Sequence, residues 1–105
     1  VRDLPVMLSE MRRILKPGGV LLAAVPMTDM IEPWWHELWR FTPEGFGELV
    51  GAAFGGDNVQ IRAYGNSLVA AAAMRGLTAE EFTRREMDAF DGRFAIEVCA
   101  RAVKK

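Results

Sequence analysis

The chain has 105 residues and a net charge of -1, and 50% of its residues are hydrophobic while 26% are charged. This length predicts a single domain, and this composition is that of a globular protein and excludes a disordered tail. The balanced charges give no field that would gather phosphate backbones or anionic lipid, so we expect no nucleic-acid partner and no membrane partner.

Cysteine and histidine are too scarce for a disulfide or a structural zinc site, so no metal site is predicted. The single Cys99 is expected to be a small core residue. Apolar runs such as 20–27 and 68–74 are too short to cross a bilayer and lack signal-peptide flanks, so we expect a cytoplasmic protein. The chain begins at Val1 without methionine, which suggests a processed, excised or incomplete product.

The first elements predicted along the chain form half of an α/β crossover. Apolar residues from Leu4 to Leu15 recur at spacings of four, three and four, which predicts an amphipathic helix. Lys-Pro-Gly-Gly at 16–19 ends it in a tight turn. Residues 20–25 are all apolar, which is typical of a strand covered by helices on both faces.

Residues 27–41 have no periodicity and are rich in aromatic side chains, which predicts a long functional loop or a short irregular helix. A second helix follows, with a capping hydroxyl on Thr42 and proline at its first position, and it ends at the Gly-Gly-Asp of 55–57. Its expected buried face consists of Phe46, Leu49, Val50 and Ala53.

Alternating residues predict a strand over 59–64, and an alanine-rich helix is predicted over 68–75. Residues 78–81 have the spacing of a capping box that opens another helix toward Phe90. Alternation over 94–102 predicts the last strand, before a basic tail.

Two segments resemble one known family. Residues 8–19, LSEMRRILKPGG, resemble the stretch of class I S-adenosylmethionine-dependent methyltransferases that runs from the helix after the fourth strand into the fifth strand. Residues 39–46, WRFTPEGF, are similar to a segment of the type 11 subgroup, which is often associated with sugar or cell-surface biosynthesis. Residues 64–66, YGN, and 100–104, ARAVK, also match that subgroup.

The resemblance covers nearly all of the chain and implies an α/β fold that is incomplete as a domain. Residues 1–105 would form a single partial domain, the C-terminal part of a Rossmann-like sheet with strands five to seven and flanking helices. Residues 20–25 would be the fifth strand, 59–64 the sixth, and 94–102 the antiparallel seventh between them.

The same resemblance implies that the cofactor site is absent from this chain. In the family, S-adenosylmethionine lies against a glycine-rich turn after the first strand and an acidic residue at the end of the second. Pro17-Gly18-Gly19 follows a helix and is therefore predicted to be only a turn. The isolated chain is expected to bind no cofactor and to be inactive.

Methyl transfer depends mainly on positioning, and a base is needed only where the acceptor loses a proton. His36 is the candidate base because histidine titrates near neutral pH, and the alternative is an ordinary exposed or packing histidine. Trp34, Trp35 and Trp39 could bind an acceptor or simply cover the end of the sheet.

Arg40 is the candidate for binding a carboxylate or phosphate of the substrate through its planar guanidinium. The alternative is an ion pair with Glu44 or Glu48. The intact protein is expected to transfer a methyl group to a small-molecule or sugar-like acceptor.

A second hypothesis is a non-catalytic module derived from the same fold that pairs with itself or with another protein. A fold that starts just before the fifth strand exposes an apolar sheet edge, and such edges recruit other chains. A homodimer through that edge is the partner expected on this hypothesis.

Overall fold

The computed structural model describes residues 2–29, 31, 36–75, 80 and 82–105. Its helices and strands, in chain order, are α1 (Leu4–Ile14), β1 (Val20–Pro26), α2 (Pro43–Phe54), β2 (Val59–Tyr64), α3 (Ser67–Arg75), α4 (Arg84–Asp88) and β3 (Glu97–Val103). Short 3-10 turns at Gly56–Asn58 and Gly92–Phe94 precede β2 and β3. The predicted α/β class is confirmed, and no helix in these ranges is long and apolar enough to cross a membrane.

The three strands form one sheet in the order β1-β3-β2, and β3 is antiparallel to both neighbours. β1 and β2 therefore run in the same direction on either side of β3. The expected position of the last strand, between the other two, is confirmed. Its predicted start at Phe94 is wrong: the Asp91 carboxylate accepts a hydrogen bond from the N–H of Arg93, which closes a 3-10 turn there.

Side chains cap both long helices where the sequence predicts that they begin. Asp3 accepts a hydrogen bond from the N–H of Val6 at 3.1 Å, and Thr42 accepts one from the N–H of Gly45 at 3.0 Å. Each cap satisfies an N–H that the first turn of a helix leaves unpaired. Proline follows both caps within the first turn, where it needs no hydrogen-bonding N–H.

The predicted turn at 16–19 joins α1 to β1 and is tied to the end of β3. Gly18 has a φ of 83°, which glycine adopts without strain. The N–H of Gly18 donates to the carbonyl of Lys104, and the N–H of Lys104 donates to the carbonyl of Gly19 at 2.9 Å. The ammonium of Lys104 also donates to the carbonyl of Leu15 at 2.8 Å, which satisfies the end of α1.

The core lies between the sheet and the two long helices. Its buried members are Leu8, Phe46, Val50, Phe54, Val98, Ala100 and Ala102. The predicted burial of Phe46 and Val50 is confirmed, and Leu49 and Ala53 pack partly buried against this core. Phe54 was not predicted, because it is the last helical residue before the glycines.

Helices cover only one face of the sheet in the described chain. Alternate residues of β1, from Leu21 to Val25, pack toward the core, and the residues between them are exposed, with Leu22 at 75%. The prediction that helices cover this strand on both faces is therefore wrong here, because α1 and α2 both pack on the same side. We call the uncovered side the open face.

Cys99 lies on the open face instead of in the core. In the register it stands between Ala24 of β1 and Arg62 of β2, and it is only partly buried. The core positions of β3 belong to its neighbours Val98 and Ala100, because side chains alternate along a strand. Burial and, to a smaller extent, the nearby Glu97 raise the pKa of its thiol.

The alanine-rich helix predicted over 68–75 is confirmed as α3. Residues 78, 79 and 81 of the predicted capping box lie outside the described residues. A capping box is present further on, where Thr83 and Glu86 each accept a hydrogen bond from the other's N–H. The helix that it opens ends at Asp88, so the predicted extension to Phe90 is wrong.

Candidate functional site

The carboxyl ends of β1 and β2 lie on either side of Ala95 and Ile96, which directly precede β3. The N–H groups of Met27 and Thr28 donate to the carbonyl of Ile96 at 2.9 and 3.2 Å, and the Thr28 hydroxyl donates to the carbonyl of Ala95 at 3.2 Å. On the other side, the N–H of Ile96 donates to the carbonyl of Tyr64 at 2.8 Å. This hydrogen-bonded floor lies where ligands bind in open α/β sheets.

Phe41 attaches the segment after β1 to this floor and to the core. Its N–H donates to the carbonyl of Pro26 at 3.3 Å. Its ring centroid lies 5.1 Å from that of Phe46, with the planes inclined by 53°, a favourable geometry for an aromatic pair. Within the WRFTPEGF motif, Phe41, Thr42 and Phe46 therefore have structural roles, which leaves Trp39 and Arg40 as its candidates for contact with a ligand.

Arg40 is held in place by a carboxylate that precedes it in the chain. Its Nη2 donates to Oε2 of Glu37 at 2.5 Å, and both side chains are only 26% exposed. Glu37 is thus an ion-pair partner of Arg40, whereas the alternative reading of the sequence was a pair with Glu44 or Glu48. A partly desolvated, charge-assisted bond fixes the plane of a guanidinium, which is what recognition of a carboxylate or phosphate requires.

The other predicted site residues differ in how far the structure describes them. Trp39 is 48% exposed, and His36 is exposed. Trp34 and Trp35 lie outside the described residues, so their contact with an acceptor remains a prediction. Trp39 and Arg40 directly precede the anchored Phe41 in the chain, and the role of His36 as a base stays a prediction.

On the β2 side, Gly65 and Asn66 make the turn into α3. Asn66 is 8% exposed and fully hydrogen-bonded: Nδ2 donates to the carbonyls of Glu86 and Ala89 at 2.8 and 2.7 Å, and Oδ1 accepts from the N–H of Val69 at 2.9 Å. Sequence reasoning found this YGN segment only as part of the resemblance. Its local signal is a glycine and an asparagine directly after an alternating strand.

Two described glycines, Gly65 and Gly19, have protein atoms where a Cβ would lie, whereas Gly18 and Gly56 have none within 4 Å. A glycine-rich turn that holds a cofactor leaves open space beside its Cα atoms, so that the backbone can approach the ligand. Gly65 lies between a strand and a helix, but a Cβ there would lie 2.8 Å from the backbone N of Ile96. At Gly19 a Cβ would lie 2.8 Å from the carbonyl oxygen of Lys16. Protein atoms fill both positions.

Charged side chains also lie beside β2. A cavity of about 700 Å³ opens there, lined in part by Arg62, Met87, Asp88 and Phe90. The Asp88 carboxylate already binds Arg84 at 3.3 Å. Within the described ranges, no group of three or more histidine, cysteine or acidic side chains could hold a metal ion.

An apolar groove of about 310 Å³ lies on the opposite side of the sheet, between α1 and β1. Met7 and Met11 of α1 and Leu21 and Val25 of β1 are among its lining residues. Sequence reasoning did not find this groove as such, because its shape depends on how far α1 lies from the edge of the sheet.

No protein-family model, curated protein or solved structure matches the chain. The resemblance to methyltransferases therefore rests on residues alone, namely the LKPGG and WRFTPEGF segments.

Proposed function

We propose that this chain is the acceptor-side half of a class I S-adenosylmethionine-dependent methyltransferase. The observation that carries the proposal is the strand order β1-β3-β2, with an antiparallel β3 inserted between two strands that run the same way. This is the arrangement of strands five, seven and six that the resemblance implies. The LKPGG turn leads directly into β1, and Phe41 of the WRFTPEGF segment donates a hydrogen bond to Pro26 at the end of that strand, which supports the proposal.

The described site supports binding of an acceptor more directly than it supports catalysis. Arg40 offers a guanidinium held by Glu37, and Trp39 offers a half-exposed indole, both just before Phe41, whose N–H is bonded to the end of β1. A planar cation beside an aromatic surface suits a small molecule with an anionic or hydroxyl-rich group, such as a sugar-like acceptor. Trp35 would extend that surface, and His36 would accept a proton where the acceptor is a hydroxyl.

On this proposal the donor half comes from sequence outside residues 1–105, because the glycine-rich turn after the first strand and the acidic residue after the second are not among the segments that this chain resembles. The coding sequence upstream of Val1 tests this requirement. A strand followed by a glycine-rich turn and, further on, by an acidic residue is expected there. An in-frame start at or near Val1 would contradict the proposal.

The decisive functional experiment uses the protein extended by that upstream sequence. We expect it to release S-adenosylhomocysteine from S-adenosylmethionine when sugar-like small molecules are supplied. Arg40→Ala should raise the KM for an anionic acceptor while affinity for S-adenosylmethionine stays unchanged, because Arg40 lies on the acceptor side. Glu48→Ala, an exposed carboxylate on α2, is the matched control. Equal loss of affinity for both substrates in Arg40→Ala would contradict the assignment.

A further inference from the structure

A groove between α1 and α2 combines cationic and apolar side chains. Its volume is about 550 Å³, within the range of roughly 300–1,000 Å³ that is typical of small-molecule sites. Residues three or four apart in a helix lie on one face, and both helices line the groove with such sets. Its walls include Pro5, Ser9 and Arg12 of α1 and Leu49, Ala52 and Ala53 of α2. We call this space the α1–α2 groove.

Arg12 brings an unpaired cation to the α1–α2 groove. It is partly buried, and no ion pair or hydrogen bond joins its guanidinium to another described residue. A guanidinium has five N–H donors in one plane and stays protonated in proteins. Removing a charged group from water is unfavourable unless the group gains a partner. Arg12 therefore has both the donors and the charge to bind an oxyanion in the groove.

Lys104 brings a second cation to the same groove, and the backbone holds it in position. Its ammonium donates hydrogen bonds to the carbonyls of Leu15 at 2.8 Å and Arg13 at 3.4 Å, at the end of α1. An ammonium has three donors, so one N–H remains for a ligand. Both carbonyls are neutral and do not cancel the positive charge. A cation that is already held in place loses little side-chain freedom when it binds an anion.

The other polar residues of the α1–α2 groove leave this positive charge in excess. Arg13 also lines the groove, but its guanidinium binds the exposed Glu10 carboxylate at 2.6 Å, so that pair is neutral. None of the described lining residues is acidic. The hydroxyl of Ser9 adds a neutral donor one turn before Arg12 on the same helix face. The α1–α2 groove is therefore complementary in charge to an anion.

The rest of the α1–α2 groove is apolar. Leu49, Ala52 and Ala53 form its α2 side, and Pro5 lies about two turns of α1, or about 10 Å, before Arg12. A hydrocarbon chain against these residues would remove apolar surface from water. The groove thus has cations near the C-terminal end of α1 and an apolar wall along the rest.

We propose that the α1–α2 groove binds a small amphiphilic anion, an oxyanion such as a phosphate or carboxylate on a short hydrocarbon chain. The oxyanion contacts Arg12 and Lys104, and the chain lies against Leu49, Ala52 and Pro5. A small molecule is the occupant because the groove has the volume of a ligand site and both kinds of wall that such a molecule needs. The inference is independent of methyl transfer.

Isothermal titration calorimetry of the 105-residue chain with octyl phosphate and octanoate, each kept below its micelle concentration, tests the proposal. We expect saturable binding with one site per chain, and the tighter of the two identifies the preferred head group. Arg12→Gln should weaken binding about tenfold or more, because the oxyanion loses a charged hydrogen-bond donor. Arg85→Gln, which removes the same charge from an exposed position on α4, is the matched control and should bind as the wild type does.

Ala52→Glu provides a second variant that should remain folded, because Ala52 is exposed on α2. Its carboxylate would enter the α1–α2 groove and repel the ligand, so binding should be abolished while the unfolding temperature stays that of the wild type. Met74→Glu, at 66% exposure on α3, introduces the same charge elsewhere and should leave binding intact.

Octanol and inorganic phosphate separate the two parts of the ligand. Each should bind much more weakly than octyl phosphate, since octanol lacks the charge and phosphate lacks the chain. Octanol that binds as tightly as octyl phosphate would overturn the proposal, because the cations would then contribute nothing. Absence of saturable binding by both amphiphiles would overturn it as well, as would wild-type affinity in Arg12→Gln. An acidic peptide that binds where both amphiphiles fail would replace the small molecule with a protein partner.

Discussion

The two outer strands of the sheet, β1 and β2, differ in the side chains that they place on the open face. β2 alternates core residues with Gln60, Arg62 and Tyr64 on the open face. Side chains of α4, together with Phe90, line the cavity beside β2. β1 places Val20, Leu22 and Ala24 on the same face, with no charge along the strand. β2 therefore carries a charged side chain, which discourages edge pairing, whereas β1 carries none.

The largest effect on stability is expected at the end of β2. Gly65→Ala should lower the free energy of unfolding by about 3–5 kcal/mol, because a φ of 122° is costly for alanine and the new Cβ would lie 2.8 Å from the backbone N of Ile96. Chemical denaturation measures the change. Gly18→Ala, with positive φ but open space around it, should cost less, and Gly56→Ala, with neither constraint, least. Equal costs at all three positions would refute the packing argument.

At the β1 side of the molecule, α1 is held by one fully buried side chain, Leu8. Leu8→Ala should cost about 2–4 kcal/mol, because Leu8 is 2% exposed and its loss leaves a cavity between α1 and α2. Ile14→Ala on the same helix, at 71% exposure, is the control and should change stability little.

The next effect concerns the asparagine that joins α3 to α4. Asn66→Ala should cost about 2–3 kcal/mol, because it leaves two carbonyls and the N–H of Val69 without their partner. Asn58, whose amide makes one hydrogen bond to the carbonyl of Phe54, provides the comparison. Asn58→Ala should cost about 1 kcal/mol. A larger loss of unfolding free energy for Asn58→Ala than for Asn66→Ala would show that the hydrogen bonds of Asn66 do not stabilise the junction of α3 and α4.

Much of this architecture can be predicted from local sequence. The spacing of apolar residues and the caps at Thr42 and the start of α1 determine the long helices, and alternation determines β2. Strand order, by contrast, came only from the resemblance, since register between distant strands leaves no local pattern.

The errors have tertiary causes. A continuous apolar run does not reveal which face a helix will cover, so Leu22 was expected to be buried. Cys99 was expected in the core for a related reason. When both sets of alternate residues in a strand are apolar, the sequence does not show which set faces the core. At the site, the pairing of Arg40 with Glu37 was missed because Glu37 is as close to Arg40 in the sequence as the carboxylates of α2 are. The candidate contacts of Trp35 depend on residues outside the described ranges.

The smallest expected effect is a pH dependence beside β2. Hydrogen bonds from Thr83 lower the pKa of Glu86, and hydrogen bonds from Arg93 lower that of Asp91. A carboxyl with a lower pKa in the folded state stabilises that state above its unfolded pKa of about 4 and loses this contribution as the pH falls through the folded value. Both groups are exposed, so the effect should be small and weakened by salt.

Hydrogen exchange checks that dependence by comparing segments. As the pH falls below about 4, amides of residues 83–94 should lose protection before those of β3. The double variant Glu86→Gln and Asp91→Asn should lose this pH dependence. Simultaneous loss of protection in both segments of the wild type would show that these carboxylates do not stabilise the segment locally.

Calorimetric titration of S-adenosylmethionine and S-adenosylhomocysteine into the 105-residue chain tests the central claim most directly. We expect no heat of binding, because on the proposed function this chain is the acceptor side and the cofactor-binding glycine-rich turn lies outside residues 1–105. Saturable binding in the micromolar range would mean that the chain, alone or as an assembly, forms a cofactor site, and it would contradict the account.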